Sequence, residues 1–179
     1  MVESAPMILK ALFVILALTA VGSVRATVTN VIDAVALGRL GNGVSSDGWT
    51  VTSVSNYAET SKAKSALRLN KETSEVVSPR FEAGILQVKL RLCSSSATGK
   101  RRLVATPLRN GEPIDALRHV FELSQKEYGI NVQTADWAAE ARVRAFRLHL
   151  EGSGPTSWGI LEMSVVTADR VPPLVIAVR

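Results

Sequence analysis

The chain has 179 residues, of which 46% are apolar and 21% charged, the composition of a globular domain rather than a disordered segment. Aromatic residues make up only 5%, which weighs against an aromatic-lined groove for sugars or nucleobases. The formal net charge of +5 permits loose attraction to anionic polymers without specifying one.

The N-terminal segment has the organisation of a secretory signal peptide. One lysine precedes an apolar run over residues 11–21, and residues 24–26 are of the type found before signal-peptidase cleavage. The run is shorter than the roughly 20 residues that a membrane span needs, although an uncleaved anchor is the alternative. We expect a signal peptide over 1–26, cleaved after Ala26, with Met7 as an alternative start. The mature chain is then secreted, periplasmic or on a bacterial cell surface, without a membrane span.

Most segments after residue 26 alternate apolar and polar residues with a period of two, which predicts strands. Residues 27–37 predict an opening strand, and residues 38–48 consist of turn-forming types. Alternation resumes over residues 49–57, with a local irregularity before Val54.

The stretch SALRLNKETSEVVSPRF, residues 65–81, predicts a strand, a reversal and a second strand. Leu67 and Leu69 would face the core, residues 70–74 would reverse the chain, and residues 76–77 would return to the sheet. A proline, the fifteenth residue of the stretch, then ends the pairing because it has no amide hydrogen to donate.

ILQVKLRLC, residues 85–93, predicts the clearest strand, with one face packed and one face in solvent. Cys93 ends this run and is predicted to be a small core residue. It is the chain's only cysteine, so no intrachain disulfide can form. The two predicted faces are Leu86, Val88, Leu90 and Leu92 on the core side and Gln87, Lys89 and Arg91 on the solvent side.

The second half continues the pattern, with strands predicted near residues 101–111, 118–124 and 157–168. Residues 135–142 have a helical composition and predict a short helical turn. The phase of alternation then changes, which predicts a bulge near Ala145.

About eight or nine short strands in all predict an all-β antiparallel β-sandwich over residues 27–170. A proline pair cannot continue a central strand, so residues 171–179 are predicted to be a tail or linker.

Catalytic motifs are absent from the sequence, which has no metal-ligand spacing, no nucleophile elbow and no phosphate-binding glycine loop before a helix. His119 and His149 are predicted to be solvent-facing strand residues. We therefore expect a protein that is not an enzyme, and a small glycan hydrolase is the least favoured function.

Basic residues in the predicted strands are the main candidates for ligand contact. Lys89, Arg91, Arg142 and Arg144 would form a positive surface if they shared one outer sheet face. Such a face could bind an anionic polysaccharide or another anionic polymer, whereas the alternative is a solvated face that discourages aggregation. Trp137 is the candidate for stacking on a sugar ring, with a core or lid position as the alternative.

The order of these segments, from GWTVTSVSNY through SALRLNKETSEVVSPRF and LQVKLRL to RVRAFRLHLEGSGPTSWGILEMSVV, resembles a galactose-binding-like jelly-roll domain of secreted bacterial proteins. The resemblance covers about residues 48–167 and implies a carbohydrate-binding-module-like β-sandwich. Related sandwiches bind structural calcium, but the last strand here carries only one acid, Glu162, where the family often has an aspartate pair. Calcium is therefore unsupported, and no other cofactor is evident.

The resemblance implies an exported, non-enzymatic module that binds carbohydrate or another cell-surface polymer. The alternative is a structural or protein–protein interaction module of a cell-surface protein. Nucleic acid is not an expected partner, because the chain is predicted to be exported and lacks interleaved basic and aromatic residues.

Overall fold

The computed structural model describes residues 27–56, 66–94, 101–122, 131–140 and 143–168. The predicted signal peptide, residues 1–26, and the predicted tail, residues 171–179, lie outside them. Within the part of the chain that is described, no helix has the length and apolar character needed to cross a bilayer. The strands are β1 (Thr27–Ile32), β2 (Gly43–Val44), β3 (Thr50–Thr52), β4 (Val54–Asn56), β5 (Leu67–Leu69), β6 (Glu75–Val77), β7 (Ile85–Ser94), β8 (Arg102–Arg109), β9 (Glu112–Pro113), β10 (His119–Phe121), β11 (Asn131–Asp136), β12 (Ala145–Glu151) and β13 (Trp158–Ala168). The helices are α1 (Ala34–Leu40) and one turn of 3₁₀ helix (Asp115–Leu117).

The strands form two antiparallel sheets. The six-stranded sheet has the order β11-β7-β13-β5-β4, with β1 also paired to β13, and the seven-stranded sheet has the order β10-β8-β12-β6-β3-β2, with β9 paired to β8. Four strands of the first, β5-β13-β7-β11, and four of the second, β6-β12-β8-β10, form the frame. Every connection between these eight except β8 to β10 passes from one sheet to the other. This interleaving is that of a jelly roll, so the predicted fold class is confirmed.

Alternate residues of the two sheets form one core. Phe146 of β12 is fully buried, and the rings of Trp49 and Trp137 lie 5.8 and 5.9 Å from its ring centroid. Leu90 of β7 and Met163 of β13 are also buried in this core. These side chains follow the period of two along each strand, which made the inward positions of Val88, Leu90 and Leu92 predictable from sequence, whereas at the start of β7 Ile85 is buried rather than the predicted Leu86.

The prediction of one opening strand over residues 27–37 is wrong beyond residue 32. The side chain of Asp33 accepts a hydrogen bond from the amide of Ala36 at 2.9 Å and caps α1. The helix buries Ala34 and Leu37 against the core. It continues to Leu40, within the segment that was predicted to consist of turns. An added Cβ at Gly38 would lie 1.8 Å from the Asn56 side-chain oxygen, which is why a glycine fits this helix.

The irregularity predicted before Val54 is a change of sheet. Ser53 has a positive φ of 50°, and it separates β3 of the seven-stranded sheet from β4 of the six-stranded sheet. Its amide donates to the side chain of Asn42 at 2.7 Å, which holds the unusual backbone angle. One alternating segment in the sequence therefore supplies strands to both sheets.

The segment over residues 65–81 also crosses between sheets, because β5 and β6 belong to opposite sheets and do not pair. The fully buried Ser74 organises the crossing: its hydroxyl accepts from the amides of Asn70 and Lys71 and donates to the Ser53 carbonyl at 2.7 Å. The predicted reversal within one sheet is therefore wrong. Pro79 does follow the last residue bonded to β12, Ser78, whose amide donates to the Phe146 carbonyl at 2.9 Å.

Two further local predictions are corrected near β12. Residues 135–136 belong to β11, and a single turn follows in which the amide of Glu140 donates to the Trp137 carbonyl, so no helix forms there among the described residues. The register of β12 on β8 is continuous from Ala145, so no bulge is present at that point. Val143 lies in the loop that precedes β12, and its side chain is buried in the core. A hydrogen bond from the Ile85 amide to the Val143 carbonyl holds this loop against β7.

Cys93 is buried as predicted, but its Cα lies opposite Gly159 of β13, in the phase of the outward-facing residues of β7. The missing side chain at Gly159 leaves room there. Burial raises the pKa of the Cys93 thiol, and a backbone hydrogen bond from Gly159 partly offsets this effect.

Candidate functional site

The outer face of the six-stranded sheet carries two of the predicted site residues. Lys89 lies opposite Thr134 of β11 on one side and Ser164 of β13 on the other, and Val31 of β1 lies opposite Ser164. Directly opposed residues on one sheet face have Cβ atoms about 4.5–5.5 Å apart. These four residues therefore form a row across four strands, with Lys89 between two hydroxyl side chains.

A groove of about 270 Å³ lies over this part of the sheet. Its two sides carry the exposed valines Val31, with 81% of its surface accessible, and Val132, with 69%. These valines belong to β1 and β11, and among the described strands each of these two pairs with a single neighbour. The groove is lined by Thr29, Val31, Lys89, Leu90, Arg91, Val132, Glu162, Met163 and Ser164.

Arg91 is next to Lys89 on this face, but its charge is already paired. Its Nη1 donates to Oε1 of Glu162, the residue opposite it on β13, at 2.6 Å. In the adjacent row, Nε2 of Gln87 donates to the Asp136 carboxylate at 3.2 Å. A backbone hydrogen bond from Ala138, followed by this bond from Gln87, lowers the pKa of Asp136.

Lys89 differs from both of these groups. It is exposed, and none of the ion pairs among the described residues includes it. The described part of the face carries three cations, Lys89, Arg91 and Arg68 of β5, and two carboxylates, Glu162 and Asp136, so its net charge is only +1. The face is therefore not strongly positive, and it contains one open cation.

The other predicted site residues are not in the groove. Trp137 is 4% exposed, its ring packs against Phe146, and its indole Nε1 donates to the Leu117 carbonyl at 3.0 Å. The structure thus places Trp137 in the core, the alternative left open by the sequence. Arg144 lies in the loop before β12, with its Nη1 3.3 Å from the Glu82 carboxylate. Arg142 lies outside the described residues.

Two further arginines, Arg101 and Arg147, are also separated from the groove. Arg101 has only 10% of its side chain exposed and donates to the Asn70 carbonyl at 2.7 Å. Arg147 is in β12 of the seven-stranded sheet, 3.9 Å from Glu75. Of the described arginines, Arg91, Arg144 and Arg147 therefore lie in different parts of the fold, and this geometry does not support a markedly positive sheet face.

Both histidines belong to the seven-stranded sheet. Nε2 of His149 lies 3.4 Å from Oε1 of Glu151, which also accepts from Arg118 at 3.0 Å. Burial lowers the pKa of His149, and Arg147 lowers it further, although Glu151 acts in the opposite direction. Burial also lowers the pKa of His119, whose ring lies 4.8 Å from that of Phe121. Neither histidine is near the groove residues, because the groove is on the other sheet.

Metal binding is not evident from the side chains. Among the described residues, no group of three or more His, Cys, Asp or Glu side chains could hold a metal ion.

The outward-facing groove residues that the sequence did not predict are Thr29, Val31, Val132, Glu162 and Ser164, and it did not predict Thr134 opposite Lys89. Glu162 and Ser164 alternate with the core residues Met163 and Val165, so their outward orientation could have been predicted. Their positions beside Arg91 and Lys89 depend on pairing between strands about 70 residues apart, which local sequence does not specify.

Comparisons with known proteins return structural matches alone. No family model matches the chain, and no curated protein matches it. The chain is similar to the CBM36-1 domain of a multidomain xylanase from the hindgut metagenome of Trinervitermes trinervoides, with 14% identity and a TM-score of 0.40, over 66% of this chain and 96% of that one. It is similar to a CBM36 carbohydrate-binding module in complex with calcium and xylotriose to the same extent, over 66% of this chain and 98% of that one.

Both matched structures are carbohydrate-binding modules. At this identity and TM-score they assign neither ligand nor metal to this chain. The strand order itself defines the class of protein, an all-β jelly-roll sandwich with an open groove on the outer face of one sheet.

Proposed function

We propose that the chain is an exported, non-enzymatic β-sandwich module that binds a polysaccharide in the groove on the six-stranded sheet. The observation that carries this proposal is the row of Thr134, Lys89 and Ser164, flanked by the exposed Val31 and Val132. Hydroxyl and ammonium groups can donate to or accept from sugar hydroxyls, and aliphatic side chains can contact the C–H groups of a sugar ring.

The groove holds its ligand by hydrogen bonds and aliphatic contacts rather than by aromatic stacking. All three tryptophans of the chain are buried, with exposures of 2% for Trp49 and 4% for Trp137 and Trp158. Without a large stacking surface, we expect affinities typical of weak, open sites. Such a site gains useful strength when several copies bind one polymer.

A glycan array probed with the secreted chain tests this function. The double variant Lys89→Ala, Ser164→Ala should lose most of the binding, because it removes the only open cation among the described groove residues and the hydroxyl opposite it. The matched control is Lys71→Ala, Thr50→Ala, which removes the same groups from exposed positions outside the groove. No binding to any neutral or acidic glycan at low salt would reject the proposal, as would equal binding by both double variants.

A structural or protein–protein interaction module is the second candidate, and one observation favours it. Val28, Val31 and Val132 are all exposed on β1 and β11, which each pair with one neighbour among the strands that the structure describes. Unpaired strand edges with apolar side chains can add a strand from another chain. This candidate gains support if the glycan array is blank while the chain self-associates in sedimentation velocity and Val31→Lys restores the monomer.

A further inference from the structure

We propose that the ligand is an acidic polysaccharide whose uronate carboxylates are bound one at a time by Lys89. This inference rests on the proposed function, since it names the class of glycan that the same groove takes. It depends on how the charges of the face are paired, which the strand register sets.

The charge distribution favours a single carboxylate over a dense array of anions. Arg91 donates a hydrogen bond to Glu162 at 2.6 Å, so its charge is less available to a ligand than that of Lys89. The Glu162 side chain is 66% exposed, and Asp136 is exposed as well, so a densely sulfated polymer would meet two carboxylates beside the cation. The sulfates of such a polymer would be repelled by these two carboxylates, whereas the carboxylate of a single uronate placed over Lys89 is attracted by the ammonium.

The neighbours of Lys89 favour a sugar over an acidic peptide. Thr134 and Ser164 lie directly opposite it on the two adjacent strands, so residues with hydroxyl side chains flank Lys89 on both sides. A uronate carries ring hydroxyls next to its carboxylate and can satisfy all three side chains at once. A glutamate carboxylate can accept hydrogen bonds from these hydroxyls, but its side chain carries no hydroxyl that could donate to them.

Binding of uronate polysaccharides and their carboxyl-reduced forms tests the inference directly. Hyaluronan, alginate and glucuronoxylan serve as the uronate panel, with heparin as the densely sulfated polymer and poly-L-glutamate as the acidic peptide. At least one uronate polymer should bind about tenfold or more tighter than its reduced form, since a hydrogen bond to a charged group contributes that much. A site with one charge should lose only about threefold to fourfold in affinity between 50 and 200 mM salt.

Variants at two positions separate the charge from the fold. Lys89→Gln should remove the preference for the native polymer over the reduced one, while Lys89→Arg retains it and Lys71→Gln changes neither affinity. Glu162→Gln should raise the affinity for heparin and steepen its salt dependence, because it releases Arg91 as a second open cation.

The outcomes distinguish the two proposals. Equal binding to native and carboxyl-reduced polymers overturns the carboxylate inference but leaves a polysaccharide module in place. Heparin binding tighter than every uronate polymer, with a steep salt dependence, overturns the single-charge site, and equal binding of poly-L-glutamate overturns the sugar requirement. Absence of binding to every polymer, neutral ones included, overturns this inference and the proposed function together.

Discussion

The outer faces of the two sheets use similar residue types in different ways. On the seven-stranded sheet, His149 and Arg118 both contact Glu151. Val104 and Thr106, which lie opposite His149 and Arg147 on the neighbouring strand, are almost completely buried. On the six-stranded sheet, Lys89 is exposed between hydroxyl side chains, and a groove lies above it.

The comparison shows that charge content alone does not mark a binding face. Charges that pair across strands and cover their neighbours leave little for a ligand, although each exposed pair adds no more than about 1 kcal/mol to stability. Lys89 forms no ion pair with a described residue and lies between Thr134 and Ser164, so it contributes little to stability and is available to a ligand. Substitutions on the outer face of the seven-stranded sheet should therefore change stability, whereas substitutions on the outer face of the six-stranded sheet should change ligand affinity.

The largest effect is expected in the core that both faces share. Trp137→Ala should lower the free energy of unfolding by about 3–5 kcal/mol, because it removes a large buried ring packed on Phe146 and leaves the Leu117 carbonyl without its indole donor. Urea denaturation measures this change. Polysaccharide affinity of the folded fraction should stay unchanged, and a selective loss of binding with native stability would show that Trp137 contacts the ligand after all.

Pairing Lys89 with a carboxylate should make the outer face of the six-stranded sheet resemble that of the seven-stranded sheet. Ser164→Glu places a carboxylate opposite Lys89, the arrangement that already joins Glu162 to Arg91 one row away. Affinity for uronate polymers, measured by isothermal titration, should fall about tenfold, while stability changes by less than about 1 kcal/mol. Ser164→Gln is the control of equal length, and an equal loss in this variant would assign the effect to size rather than charge.

Opening a pair on the seven-stranded sheet should affect stability without affecting binding. Glu151→Gln weakens the contacts to Arg118 at 3.0 Å and to His149 at 3.4 Å. These groups are partly exposed, so solvent screening limits the loss to about 0.5–1 kcal/mol. A change in polysaccharide affinity beyond twofold would contradict the separation of the two faces.

The smallest effect concerns pH. Burial lowers the pKa of His149 below its ordinary value of 6.5, with Arg147 acting in the same direction against Glu151 and Glu75. The unfolded chain then binds a proton more readily than the folded chain, so stability is complete above pH 6.5 and falls as the pH drops through the folded pKa. Arg118 also faces this cluster through Glu151.

Urea midpoints at pH 7.5 and 5.0 measure this dependence. His149→Gln should reduce the loss between the two values, leaving the contribution of His119, whose pKa burial also lowers. If the variant loses as much stability on acidification as the native chain, His149 does not contribute to the pH dependence.

The outward residues of β7 show how far sequence reasoning extends. Period-two alternation over residues 85–93 predicted that Lys89 and Arg91 face solvent, and the structure confirms it. The sequence did not show that Arg91 is neutralised, because its partner Glu162 is 71 positions away. Trp137 gives the opposite case: its neighbours in the chain resemble a loop, yet Phe146 and Leu117 surround it.

The sequence by itself determined the fold class, since alternation and turn residues act over a few positions and specify strands with one buried face. It did not determine where a segment changes sheet, as at Ser53 and Ser74, because the first crossing depends on a hydrogen bond to the Asn42 side chain and the second on one to the Ser53 carbonyl. Only the tertiary structure decided which charges meet. Strand register brings residues from opposite ends of the chain within contact distance, and a shift of one residue would exchange the two faces. The open state of Lys89 is a consequence of that register.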